Sequence, residues 1–285
     1  MTTAATPPAG KPVTDRAKGV VDPAAAARAF RLERYLPAPP FHTLLDHYWL
    51  VEWDLRGQPP FVQRTLPYPC VHLVFDREQT GIWGVPTRYF EKTLTGQNRV
   101  LGLRFRPGAF RALLGRPLKT IQDVVLPLED VFGADAAAHA AKVLAAPDDA
   151  RMVAVANELL ARVLPAQPDP QVERIAAILA LAQDDPQLTR AEQLAERAGL
   201  ALRTLQELFG EYVGVSPKWV LCRYRLHEAA DRLAANAEVD LAALAQALGY
   251  YDQAHFTTDF QSLVGKTPAE YRKANAAAPQ SGAVG

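Results

Sequence analysis

Few side chains in this 285-residue sequence are equipped for covalent or ligand chemistry, and most of them precede residue 110. There are 2 cysteines, Cys70 and Cys222, far apart and without the spacing of a zinc site or a redox pair, which fits reduced thiols in a reducing compartment. A thiolate nucleophile at Cys70 needs a cationic, partly open setting, whereas the VHLVF that follows it reads as a buried strand. His42, His47 and His72 are candidate metal ligands by residue type, but no His-x-His and no suitably placed Glu accompanies them. Arg104 and Arg106 in LRFRPG suit a carboxylate or phosphate, or a surface ion pair. Trp49, Trp53, His72, Phe75, Trp83 and Arg104 alternate with aliphatic residues, and are expected to line an aromatic ligand pocket with a few polar handles. No Ser/His/Asp elbow, phosphate loop or paired-carboxylate signature appears, so the sequence predicts neither an enzyme nor a cofactor.

The elements that must position these residues change character along the chain. HYWLVEW, FVQRTL, CVHLVFD, GIWGV and RVLGLRF are short aromatic and β-branched bursts separated by Pro- and Gly-containing turns, the pattern of half-buried strands in a barrel or sandwich. From Pro107 the period becomes helical, in PGAFRALLG, PLEDVFG, AAAHAAKVLAA and ARMVAVANELLARVL. LPAQPDP then reads as a linker. The expected organisation is a disordered tail over 1–30, a β-rich sensing or oligomerisation domain over 31–135, a helical connector and linker over 136–170, an all-helical domain over 171–275 and a disordered tail over 276–285. The fold class is α+β with two domains. Lys plus Arg total 31 against 31 for Asp plus Glu, so no bulk field draws the chain to nucleic acid or an anionic membrane. No signal peptide or membrane-length apolar run is present, which predicts a cytoplasmic protein with no membrane partner.

The last hundred residues contain a duplication. LAERAGLALRTLQELFGEYVGVSP (194–217) aligns with LAQALGYYDQAHFTTDFQSLVGKTP (244–268), with one extra residue in the second turn. Gly199 matches Gly249, Leu205 matches Phe256, Phe209 matches Phe260, Gly214 matches Gly265, and Ser216-Pro217 matches Thr267-Pro268. Each copy predicts a short helix, a glycine turn and a second helix with one apolar stripe. The first helix starts after Thr189, with Glu192 closing a capping box, or after Asp240. The Ser-Pro and Thr-Pro pairs cap a further helix in each copy, and PKWVLCRYRLHEAADRLAAN is long enough to serve as a strut between the units.

Residues 171–273 resemble the DNA-binding domain of the AraC/XylS family of bacterial transcription regulators, on the strength of GVSPKWVLCRYRLHEAADRL, LAQALGYYDQAHFTTDFQSLVGKTPAEYR and their spacing. Residues 35–133 are similar to an uncharacterised β-rich domain often attached to such regulators, through RYLPAPP, LVFD, LGLRFRPGAFRALLG and PLEDVFG. The resemblance implies two second helices in adjacent major grooves, with Arg203, Gln206 and Glu207, then Gln253, His255 and Thr258, facing base edges. Lys218, Arg223, Arg225, Lys266, Arg272 and Lys273 are then the expected phosphate contacts, and double-stranded DNA the expected partner. A small-molecule effector, RNA polymerase and a second copy of the chain are further partners it implies. Pro69-Cys70-Val71-His72 resembles the Pro-Cys-His-Arg nucleophile of DNA alkyl transferases only in part, since the Arg and the four zinc-binding cysteines of the fused type are missing. One departure from the family matters: residues 171–275 hold 11 Lys plus Arg and 14 Asp plus Glu. Phosphate neutralisation supplies much of DNA affinity, so intrinsic binding is expected to be weak. The rival expectation is a ligand- or protein-binding adaptor whose acidic helical module lacks autonomous DNA affinity.

Overall fold

The computed structural model describes residues 11–13, 23–235 and 238–276. The rest of the two expected tails, residues 1–10, 14–22 and 277–285, lies outside the described residues. Part of the first expected tail is ordered: Val13 N donates to Arg34 O at 2.9 Å, Leu36 N donates to Lys11 O at 2.9 Å, and Pro23–Ala29 forms helix α1. Edge-strand pairing and burial of Ala26 supply the ordering free energy that composition alone does not reveal.

Among the described residues, eight strands follow: β1 (Arg31–Tyr35), β2 (Leu45–Leu55), β3 (Phe61–Thr65), β4 (His72–Phe75), β5 (Gly81–Trp83), β6 (Phe90–Leu94), β7 (Gly96–Phe105) and β8 (Val125–Leu126). Six make one antiparallel sheet in the order β1-β2-β7-β4-β5-β8, and β3 pairs with β6 in a separate ribbon. Period-two alternation sorts the side chains onto two faces. Tyr48, Leu50, Leu73, Phe75, Leu101 and Leu103 face the main core, while Trp53, Leu55, Val74 and Val100 join Phe61 and Leu94 of the ribbon in a second cluster. Helices α2 (Phe110–Leu114), α3 (Glu129–Phe132), α4 (Ala136–Leu144) and α5 (Asp149–Leu160) close the chain onto the main core. The Tyr48 hydroxyl donates to Asn157 Oδ1 at 2.8 Å, which fixes α5 across β2.

The remaining helices are α6 (Pro170–Asp184), α7 (Ala191–Arg197), α8 (Leu202–Leu208), α9 (Pro217–Ala235), α10 (Leu241–Ala247), α11 (Gln253–Val264) and α12 (Pro268–Ala276). They realise the duplication: α7–turn–α8 and α10–turn–α11 flank the 19-residue α9, about 28 Å long at 1.5 Å per residue. Gly199 (φ 65°) and Gly249 (φ 75°) take the left-handed conformation at the two turns, where any other L-residue is strained. The extra residue of the second turn is Tyr251. Leu200 and Tyr250 make equivalent backbone bonds to Ala195 and Ala245, and Ala201 and Asp252 are the equivalent N-caps, which leaves Tyr251 unmatched and 98% exposed. Capping departs from expectation at α7: Gln193, not Glu192, closes it, its Oε1 accepting from Thr189 N at 3.1 Å and Arg190 N at 3.0 Å. Asp240 caps α10 as expected, and Ser216 Oγ accepts from Trp219 N at 3.2 Å in the first turn of α9.

The hydrophobic cores do not follow the chain's apparent division. Leu194, Leu205, Phe209, Val213 and the α9 residues Val220 and Leu221 belong to the same cluster as the sheet's inner face. Leu226, Ala229, Ala230 and Leu233 of α9 belong to a different cluster with Leu244, Phe256, Phe260 and Leu263. Replacing Phe209 or Phe256 by Ala should cost about 3–5 kcal/mol of local stability. Hydrogen exchange should show the Phe256→Ala loss of protection centred on the second half of α9 and 238–276, and the Phe209→Ala loss reaching β4 and β7.

On the ribbon side of the sheet, Trp49 Nε1 donates to His72 Nδ1 at 3.1 Å, which places the imidazole proton on Nε2, 3.3 Å from Cys70 Sγ. Burial pushes the Cys70 thiol up and the His72 imidazole down to about 3, the nearby Arg104 adding to the second shift. Both groups are therefore neutral, the opposite of a thiolate–imidazolium pair. Because the folded His72 binds its proton less readily than the unfolded chain does, its contribution is complete above about pH 6.5 and is lost as pH falls toward 3, at about 1.4 kcal/mol per unit. Chemical unfolding of His72→Gln should show a shallower loss of stability between about pH 6 and pH 4.5 than the unsubstituted chain.

Candidate nucleic-acid interface

The stripe of α8 that includes Leu205 turns inward, and Arg203, Gln206 and Glu207 project from its exposed side. In α11, Phe256, Phe260 and Leu263 turn inward, and Gln253, His255 and Thr258 are exposed. The six residues with base-reading chemistry thus lie on two matched solvent-facing surfaces. Arg203 Nε donates to Glu207 Oε1 at 2.9 Å, with 88% and 65% of the two side chains exposed. An exposed i,i+4 pair contributes about 0.3–0.5 kcal/mol. A bidentate guanidinium–guanine contact is worth about 1–3 kcal/mol of discrimination, more than this ion pair, so the pair is no obstacle to such a contact. His255 stacks edge-on against Tyr250 with ring centroids 5.3 Å apart and lies 3.6 Å from Asp259. Thr258 Oγ1 donates to Ala254 O at 3.0 Å, which commits its proton to the helix and leaves its lone pairs and methyl outward.

The six expected phosphate contacts divide. Arg223 is a correction: it is 1% exposed, its Nε donates to Pro67 O, and its guanidinium lies 3.8 Å from the centroid of the Tyr68 ring. A side chain enclosed between the linker helix and a loop 156 residues away reaches no phosphate. Arg225 is half-buried, donating to Leu248 O at 3.0 Å and Leu221 O at 3.3 Å, so it ties α9 to the second unit's turn. Arg272 Nη1 donates to Val239 O at 2.9 Å. Lys218 and Lys273 are exposed and Lys266 is half-exposed, and none of the three forms an ion pair among the described residues.

The sheet docks on the far side of these surfaces. Trp219 Nε1 donates to Thr87 O at 3.2 Å, Arg64 Nη1 donates to Gly265 O at 3.1 Å, and Arg111 Nε pairs with Glu211 at 2.5 Å. A Cβ on Gly265 would come within 3.1 Å of the Tyr89 ring, so that turn fits the sheet domain closely. Every one of these contacts falls at the C-terminal end of α8 or α11 or on α9, and the early turns of both helices stay open.

The expected aromatic pocket is a second correction. Phe75 faces the helices in the main core, on the opposite face of the sheet from His72 and Trp83. Trp53 Nε1 donates to Thr95 O at 3.0 Å, Trp83 packs edge-on to Phe90, and Trp49 bonds His72. Arg104 lies 3.7 Å from the Tyr68 ring centroid and 3.2 Å from Asp46. Pleating separates residues that read as neighbours in the sequence, and none of the six lines either of the two clefts described for this fold, of about 310 and 320 Å³. The residues missed by sequence reading are Tyr68, which joins Arg104 to Arg223, and Tyr251. Only the two flanking prolines, Pro67 and Pro69, hint at a held loop at Tyr68.

Residues 194–274 match the family described as Helix-turn-helix domain, and residues 33–127 match Domain of unknown function (DUF6597). An uncharacterized HTH-type transcriptional regulator of Haemophilus influenzae is 32% identical over 97 residues, covering 34% of this chain and 32% of that protein. The HTH-type transcriptional activator RhaS of Pectobacterium carotovorum is 35% identical over 79 residues, 28% of each chain. The Transcriptional activator NphR of a Rhodococcus species is 27% identical over 164 residues, 58% of this chain and 46% of that one. The chain thus spans between 28% and 46% of the length of these relatives. An AraC-type regulator structure from Chromobacterium violaceum aligns at 22% identity over 39% of this chain and 96% of that one, with a TM-score of 0.34. Residues 194–274 thus match a helix-turn-helix domain also found in transcription regulators, joined in this chain to an amino-terminal domain that matches the DUF6597 family.

Proposed function

We propose that this chain is a sequence-specific transcription regulator that reads double-stranded DNA with α8 and α11. Its sheet domain would sense a small molecule or mediate oligomerisation. The observation that carries this reading is the matched pair of helix–glycine–helix units on one strut, each with an open polar face and a buried apolar one. The names of the relatives, all regulators or activators of transcription, support it. Arg203 and Gln206 suit guanine and adenine, Glu207 suits cytosine N4, and Gln253, His255 and Thr258 form the second reading set. Lys218, Lys266 and Lys273 take the phosphates, Arg225 and Arg272 act on the fold, and Arg223 has no part in DNA contact. The working organisation remains a sheet domain over 31–135, a connector over 136–170 and a reader over 171–275, acting in the cytoplasm with RNA polymerase as a further partner.

The acidity of residues 171–275 favours a second reading, an adaptor that binds a ligand or protein and lacks autonomous DNA affinity. Selection of genomic fragments by the full-length protein at low and moderate salt separates the two. The regulator retains a bipartite motif with segments about one helical turn apart, whereas sequence-blind or absent retention supports the adaptor. On the selected site, the slope of log K against log salt should be about −3, as three lysine–phosphate contacts predict; a slope steeper than about −6 would show that other cations reach the DNA. The double substitution Arg203→Ala, Gln206→Ala should relax base preference in one segment only, by about 1–3 kcal/mol per base pair in competition assays, with unchanged thermal stability. Unaltered selectivity would remove α8 from the groove.

A further inference from the structure

The stack between the sheet domain and α9 leaves a charge uncompensated. Tyr68 offers one ring to two guanidiniums, Arg104 at 3.7 Å and Arg223 at 3.8 Å. Arg104 has Asp46 at 3.2 Å as its counter-charge. Arg223 has only a backbone carbonyl and π faces, its Nη2 has no hydrogen-bond partner, and no carboxylate lies within ion-pair reach among the described residues. Desolvation pulls its pKa down to about 10, which still leaves a full cation at neutral pH. A buried charge of this kind is costly unless something neutralises it, and a water that satisfied Nη2 would leave the charge in place.

Arg223 also lines the cleft of about 310 Å³ between α6, α9 and the Tyr68 loop. Tyr68 and Tyr224 give this cleft aromatic walls. Its mouth is acidic: Asp184 at the end of α6 and Asp231 on α9 are exposed, and neither forms an ion pair among the described residues. Arg225 also lines the cleft but is held by Leu221 O and Leu248 O, and Asp185 and Glu228 are paired with Arg197 and Arg232, so the cleft has an uncompensated cation at its buried end, walls of mixed aromatic and polar character, and unpaired carboxylates at its solvent end. A simple carboxylate would suit the floor but meet repulsion at the mouth, and a simple amine would suit only the mouth.

We propose that this cleft binds a small zwitterion, an amino carboxylate whose carboxylate pairs with Arg223 and whose ammonium lies between Asp184 and Asp231. The volume accommodates a free amino acid or an ω-amino acid of similar size. A ligand so placed touches Tyr68 of the sheet domain and the strut of the reader at once. The inference gives the sensing part of the proposed function a location and a chemistry, but it rests on the interface geometry and does not depend on DNA recognition.

Calorimetry and thermal melting of the full-length chain test it with 4-aminobutyrate, 6-aminohexanoate and phenylalanine, against hexanoate and hexylamine as single-charge controls. At least one amino carboxylate should bind saturably and about tenfold or more tighter than either control. Because Arg223 is buried and its replacement risks the fold, the deciding variant is Asp184→Asn with Asp231→Asn at exposed positions. It should melt like the parent without ligand and bind the amino carboxylate no better than hexanoate. Absence of saturable binding by all three amino carboxylates, controls that bind equally well, or a preference unaltered in the double variant would each overturn the assignment. None of these readings involves DNA, so failure here leaves the regulator reading standing, and failure of the fragment selection leaves the cleft to be judged by its own binding.

Discussion

The packing of Arg223 against Tyr68 sets the geometry on which the rest of this molecule depends. It seats the middle of α9 on a proline-flanked loop of the sheet domain, and α9 in turn carries both glycine-turn units. Cation–π contacts contribute about 2 kcal/mol or more when desolvated, but here one ring serves two cations, so each guanidinium also feels the other. The arrangement holds because the surrounding contacts overdetermine it. Trp219 on Thr87, Arg64 on Gly265 and the shared core around Val220 and Leu221 fix the same surface from three sides.

That economy of cations explains the electrostatic character of the helical module. Its excess of acid looks unfavourable for a polyanion partner, and the structure sharpens the point, because Arg223, Arg225 and Arg272 are all occupied with backbone or ring partners. Arg197 and Arg232 pair with Asp185 and Glu228. The positive charge left near the reading surfaces is lysine, a mobile point charge suited to phosphate and less to planar recognition. In the proposed reading, planar recognition would fall to Arg203, whose side chain is 88% exposed, and to the exposed amides of Gln206 and Gln253.

What was legible in the sequence followed from periodicity and turn chemistry. The duplication could be read because glycine at φ > 0, a capping hydroxyl before proline and a buried aromatic at fixed spacing are local requirements, and local requirements leave local marks. The outward placement of the six residues expected at base edges was visible for the same reason, since helical period alone decides which side chains turn to solvent. The fate of a cation is not local. Arg223 and Lys218 look alike along the chain, and only a partner 156 residues away distinguishes them. The aromatic pocket failed on pleating: Val74 and Phe75 are adjacent in sequence and belong to different cores. Gln193 displaced Glu192 as the cap because side-chain reach across the first turn depends on where the helix begins, which shifts by a residue without any change in pattern.

The division of the hydrophobic cores bears on how such a protein can be recombined. Regulators of two parts invite exchange at the proline-rich segment between them, where the chain looks easiest to cut. In this molecule a junction there would strip Leu205, Phe209 and Val220 of the sheet-side surface that covers them, while the second unit, whose core comes mainly from its own helices and the second half of α9 and takes in only Leu66 from the sheet side, would lose less. The natural seam for a working chimera lies instead within the strut, between Leu221 and Leu226, so that the first unit is inherited with the sheet and the second can be replaced to change half of what is read.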